Sequence, residues 1–85
     1  MRPMDLVEIL GRNVREARKA CGLSQEELAA EAEMKRSYLS DLERGTRNPS
    51  VRAVERLARA LGVEAAELLR APTGEASANA PAGPA

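Results

Sequence analysis

The stretch from Gly22 to Gly45, "GLSQEELAAEAEMKRSYLSDLERG", decides how this chain folds. Ser24 stands where a helix N-cap stands, and Glu27 three residues later completes a capping box. The two side chains can then each satisfy a backbone N–H left free at the helix start. Leu28, Ala29 and Ala32 share one side, which predicts a helix over Gln25–Ala32. The pattern breaks at Glu33 and Met34. A second short helix is predicted over Lys35–Arg44, with Leu39 and Leu42 inward and Gly45 ending it.

Two short helices joined by so few residues give the outline of a helix-turn-helix, about residues 24–45. The pattern extends in both directions. Leu6, Leu10, Val14 and Ala17 recur at steps of four and three, one face of an amphipathic helix over Met4–Ala20, with Gly22 as its C-terminal cap. After the loop "TRNP", in which the residue before Pro49 is biased away from helix, Ser50 caps a fourth helix. Its inner face is predicted to be Val51, Val54, Leu57, Ala58 and Leu61, and Gly62 ends it. "VEAAELLR" is a short fifth helix with Val63, Leu68 and Leu69 apolar. The expectation is an all-α, five-helix domain over residues 1–71. From Pro72 onward "PTGEASANAPAGPA" has no large apolar residue, so residues 72–85 are expected to form a disordered tail.

Composition narrows the chemistry. The 85 residues include no Trp, no Phe and no His, and Cys21 is the only cysteine. A chain this short buries a limited share of its surface, and its core must be Leu, Val, Ala and Met. Without histidine it lacks the commonest general base and the commonest metal ligand. A single thiol builds neither a disulfide framework nor a zinc site within one chain. There is no glycine-rich phosphate loop. No enzyme activity, cofactor or metal is therefore expected. No apolar run approaches the roughly 20 residues that span a membrane, and "MRPMDLVEIL" is not read as a signal peptide.

The side of the third helix that faces away from Leu39 and Leu42 is more informative. At 100° per residue, Arg36, Ser37, Ser40, Asp41 and Arg44 point outward, and Tyr38 sits at the flank. Arg can reach guanine O6 and N7, Asp can accept from cytosine N4, and Ser suits either role. The same set would also serve as an ordinary solvated face. Charge favours a polyanion partner. Thirteen basic and thirteen acidic residues leave no net charge, yet Lys35–Arg59 holds seven cations against three anions, a net +4. Ser24–Glu33 holds four carboxylates and no cation, a net −4. It is the local field that governs encounter with DNA.

"LSQEELA", "SYLS", "LERG" and "RNPS" occur in an order and spacing that resemble the Cro/CI-type (XRE) helix-turn-helix family, across about residues 8–70. That resemblance implies a lambda-repressor-like fold and a transcriptional regulator binding double-stranded DNA at a palindromic operator. It also implies a bacterial or phage-encoded protein in the cytoplasm, near the nucleoid. Within the family the chain looks most like short repressors or restriction–modification controllers. By the same resemblance Lys35, Arg36, Ser37, Ser40 and Asp41 map onto residues that enter the major groove. Gln25, Arg47 and Asn48 map onto backbone-phosphate contacts, though Asn48 could equally shape the turn before Pro49. Tyr38 either places its hydroxyl on a phosphate or covers the edge of the turn. Arg18 and Glu43 map onto a partly buried structural salt bridge that fixes the angle of the third helix.

Two departures from the family pattern matter. Glu33 stands where relatives carry Gly in a left-handed backbone, which Glu adopts only at a strain of about 1 kcal/mol, so the turn is expected to be reshaped and with it the tilt of the third helix. Lys35 replaces a Ser or Thr cap. Leu61, Val63, Leu68 and Leu69 offer more apolar surface than so small a globule needs. They are expected to form a homodimer face, with closure of the monomer core as the alternative. A protein-interaction module that has given up DNA, favoured by the acidic second helix, is the competing functional reading.

Overall fold

The computed structural model describes residues 4–71, which form five helices and no strand. These are α1 (Leu6–Ala20), α2 (Gln25–Glu31), α3 (Arg36–Glu43), α4 (Val51–Leu61) and α5 (Ala65–Leu68). The tail expected from Pro72 lies outside the described residues.

Each boundary has a local cause. α1 begins at Leu6 rather than Met4, because Asp5 is an extended N-cap. Its carboxylate accepts from Glu8 N–H at 3.0 Å, and Glu8 accepts in return from Asp5 N–H at 3.1 Å. The expected box at α2 forms, with Ser24 and Glu27 satisfying each other's backbone at 2.8 and 3.0 Å. Ser50 caps α4 through Ala53 N–H at 3.1 Å. Lys35, the N-cap of α3, makes no side-chain cap.

At the end of α2, Met34 N–H reaches back to Ala29 O at 2.9 Å and Glu33 N–H to Ala30 O at 3.2 Å. That is a Schellman motif, whose closing residue must be left-handed. Glu33 occupies that place at φ 59°, among the described residues the one side chain with positive φ besides glycine. Gly22, Gly45 and Gly62 hold the matching place after α1, α3 and α4. The expectation of a reshaped turn is therefore corrected: Glu33 accepts the left-handed backbone, and the Schellman hydrogen bonds between α2 and α3 form around it.

The core is Leu10 and Val14 from α1, Leu28, Ala29 and Ala32 around α2, Leu39 and Leu42 from α3, and Val54, Leu57, Ala58 and Leu61 from α4, closed by Leu68. Two residues predicted to face inward do not. Leu6 is 56% exposed and Val51 87% exposed. Both are the first residue of their helix, on the right side by periodicity but left uncovered. α1 and α3 approach unusually closely. A methyl group on the buried Gly11 would collide with the Leu42 carbonyl oxygen and crowd that of Glu43. Asn13 donates to the carbonyls of Leu68 and Arg70 at 2.9 and 2.7 Å, fastening the α5 end to α1.

Candidate nucleic-acid interface

α3 is held at both ends. At its N-terminal end Met34 packs partly buried against the core. At its C-terminal end Glu43 is the hub of a buried network. Arg18 Nε donates to Glu43 Oε2 at 2.7 Å and Nη2 to Oε1 at 3.1 Å, while Nη1 donates to Leu23 O at 2.9 Å. The Glu43 side chain is only 3% exposed and that of Arg18 12%. Hydrogen bonding to Glu43 raises the Arg18 guanidinium above its ordinary value, against the opposing effect of burial. The sequence outline does not place Gln25 in this network. Its Nε2 donates to Glu43 Oε1 at 3.0 Å, so the side chain thought to reach phosphate is oriented by a carboxylate of α3.

Outward from this anchor, α3 and its N-cap present Lys35, Arg36 and Ser37 exposed and Ser40 and Asp41 half-buried. Among the described residues neither Lys35 nor Arg36 has an ion-pair partner. Two further arginines, Arg44 and Arg47, are engaged by Asp41. Arg44 Nη2 lies 2.6 Å from Asp41 Oδ1, and Arg47 Nη2 3.5 Å from Asp41 Oδ2. The Arg47 guanidinium also lies 4.6 Å from the centroid of the Tyr38 ring. Tyr38 thus packs partly buried at the edge of the core while its ring supports a loop cation. Asn48 is exposed in the same loop.

Beside α3 a polar cleft of about 320 Å³ is lined by Arg15, Arg18, Gln25, Ser40, Glu43 and Arg44. With Glu43 neutralised by Arg18, the exposed cations at its rim are Arg15 and Arg44. Arg15 was missed by sequence reasoning. It lies on α1, outside the helix-turn-helix, and only the packing of α1 on α3 brings it to this surface.

The four residues considered for a dimer face divide. Leu61 and Leu68 are 6% and 2% exposed and belong to the single-chain core. Val63 is half-buried against that core, and Leu69 remains 38% exposed. Their burial follows from α5 folding back on α4 and α1. Among the described residues no His, Cys, Asp and Glu side chains gather as a metal site, and no helix is long and apolar enough to cross a membrane.

A helix-turn-helix family model matches residues 14–68. The uncharacterized HTH-type transcriptional regulator y4dJ of Sinorhizobium fredii is 46% identical over 72 residues, 85% of this chain and 92% of its own length. Among solved structures, the restriction-modification controller protein C.AhdI from Aeromonas hydrophila has a TM-score of 0.71 at 45% identity, covering 73% of this chain and 94% of that one. The biofilm regulator SinR, crystallised in complex with DNA, has a TM-score of 0.69 at 37% identity, covering 72% and 98%.

Proposed function

This chain belongs to the XRE-type helix-turn-helix family of DNA-binding transcription regulators, and from that premise we propose that it binds a two-fold operator as a homodimer with α3 in the major groove. The observation that carries the reading is the outward face of α3. Lys35 and Arg36 are exposed and, among the described residues, without an ion-pair partner at the end of the helix nearest the turn, with Ser37 and Ser40 beside them. Unpaired guanidinium and hydroxyl groups on a rigid helix are what base-edge recognition needs.

Around this face lie groups suited to phosphate. Gln25 is oriented by Glu43, with one amide hydrogen left over. Arg47 and Asn48 extend from the loop, and Arg15 stands at the rim of the cleft. Such contacts set register on the duplex without reading sequence. A single module of this kind buries little surface on DNA, and a two-fold pair doubles it. Leu69 and the outer part of Val63 are the apolar groups left to join two copies.

The test is selection of bound duplex from a random pool, followed by titration of the selected and a mixed-sequence duplex at two salt concentrations. The expected product is a pair of inverted half-sites about 34 Å apart, one turn of B-DNA. Recovery of a pool no more enriched than the input would refute the reading.

A further inference from the structure

Asp41 stands in the middle of the proposed DNA face with a charge of the wrong sign for it. Its carboxylate is shared between two arginines, Arg44 at 2.6 Å and Arg47 at 3.5 Å. Its backbone carbonyl accepts from both Thr46 N–H, at 3.0 Å, and Thr46 Oγ1, at 3.1 Å. The loop that carries Arg47 is thus tied to Asp41 twice, once through the main chain and once through the side chain, with the Tyr38 ring supporting the guanidinium from another side.

We propose that Asp41 is a positioning residue that sets DNA selectivity by holding Arg44 and Arg47 in ion pairs until an aligned operator replaces its carboxylate. The inference rests on the DNA-binding reading above and deepens it. Attraction to arbitrary duplex comes from cations that displace condensed counterions. A guanidinium already paired with a carboxylate contributes less to that displacement, and the carboxylate itself repels phosphate. Arbitrary DNA must therefore break these pairs with nothing but phosphate to offer. At an aligned site the contacts of Lys35, Arg36, Ser37 and Ser40 form at the same time, and they offset the exchange of partners. Thr46 bonds to the Asp41 main chain, so the loop path survives when the carboxylate is removed.

The experiment compares wild type, Asp41→Asn, Asp41→Ala and Asp41→Glu on two probes, the duplex selected by the wild type and a mixed-sequence duplex, across a salt series. Melting curves run in parallel. Both neutral variants are expected to bind the mixed duplex roughly three- to tenfold more tightly at about 0.1 M salt. Their slope of log affinity against log salt should steepen by about one unit per protomer. Affinity for the selected duplex should rise less or fall, so that selectivity drops. Asp41→Glu keeps the charge and is expected to stay close to wild type in slope and selectivity.

Equal tightening on both probes would make Asp41 a bulk charge and overturn the proposal. So would a change confined to one base pair of the selected site, which would instead make Asp41 a base reader. Asp41→Glu losing selectivity as fully as Asp41→Asn would also defeat it. A wild type that prefers no duplex refutes the DNA-binding reading itself. A selective wild type with unchanged neutral variants refutes only the role of Asp41.

Discussion

Two residues show how far individual side chains determine this surface. Arg36 is exposed at the first position of α3 and has no ion-pair partner among the described residues. Arg36→Ala is expected to remove about 1–3 kcal/mol of discrimination at one base position, the worth of a bidentate contact. The melting curve should stay native, because nothing in the fold leans on that guanidinium. Selection repeated with the variant checks this, and an unchanged preference at every position would count against Arg36 as a reader. Glu33 poses the opposite problem, a side chain kept where only the backbone matters. At φ 59° it completes the Schellman turn between α2 and α3 that glycine completes elsewhere. Glu33→Gly is expected to raise stability by up to about 0.5 kcal/mol, since relief of a left-handed strain of about 1 kcal/mol is partly offset by the added entropy of the unfolded chain. Glu33→Ala keeps the strain and should give no such gain. A thermal melt of both variants decides between strain and charge as the cause. That this residue departs from glycine was legible in the sequence. That the turn would keep its shape was not, because it depends on whether packing on both sides outweighs a strain of about 1 kcal/mol.

At the level of elements, α3 is aimed by contacts near its C-terminal end. Gly11 lets the Leu42 and Glu43 carbonyls settle against α1. Just beyond, the Arg18–Glu43 pair joins the same two helices, with Gln25 drawn in from α2. Glu43→Ala would leave a largely buried guanidinium without its carboxylate. The expected cost is about 2–4 kcal/mol, a fall in Tm on the order of 10 °C or more for a domain of this size. DNA binding should weaken only as far as α3 loosens and Gln25 loses its orientation. A variant as stable as wild type yet unable to bind would show that Glu43 acts on DNA directly. Helix order, the capping box at Ser24 and the buried stripes of α2 and α3 are legible because each depends on spacing along one short segment. The exposure of Leu6 and Val51 is not, because periodicity gives the face of a helix but not where its neighbour stops. The close approach at Gly11, the clasp of Asn13 on α5 and the arrival of Arg15 beside Ser40 share that cause. They are properties of two elements meeting, and neither element alone announces them.

Across the whole molecule, zero net charge conceals a separation of sign between the acidic α2 and the basic segment from Lys35 to Arg59. Six of the seven cations in that segment can be followed individually. Among the described residues, Lys35 and Arg36 have no ion-pair partner, Arg44 and Arg47 are held by Asp41, Arg59 pairs with Glu55 at 3.6 Å, and the buried Arg56 Nε has no hydrogen-bond partner. The field at the α3 face is therefore weaker in the free protein than a count of arginines suggests, because two of its guanidinium groups are paired with Asp41. Two copies joined by a two-fold axis would double both the free cations and the base contacts. The sequence offers four apolar residues for such a joint, and folding uses two of them, since Leu61 and Leu68 fill the core of one chain. What remains is the exposed edge of Leu69 with Val63 beside the end of α4. A two-fold interface is self-complementary, so a charge placed there is felt twice. Leu69→Glu is accordingly expected to shift the protein from dimer to monomer in sedimentation at tens of micromolar while leaving the helical content intact. Because Leu69 is not one of the buried core residues, its replacement should lower Tm by far less than loss of a core leucine. Affinity for the selected duplex should fall and its dependence on protein concentration should steepen, since two monomers must then assemble on the site. A wild type that sediments as a monomer at those concentrations, with Leu69→Glu binding DNA as well as wild type, would place the joint elsewhere.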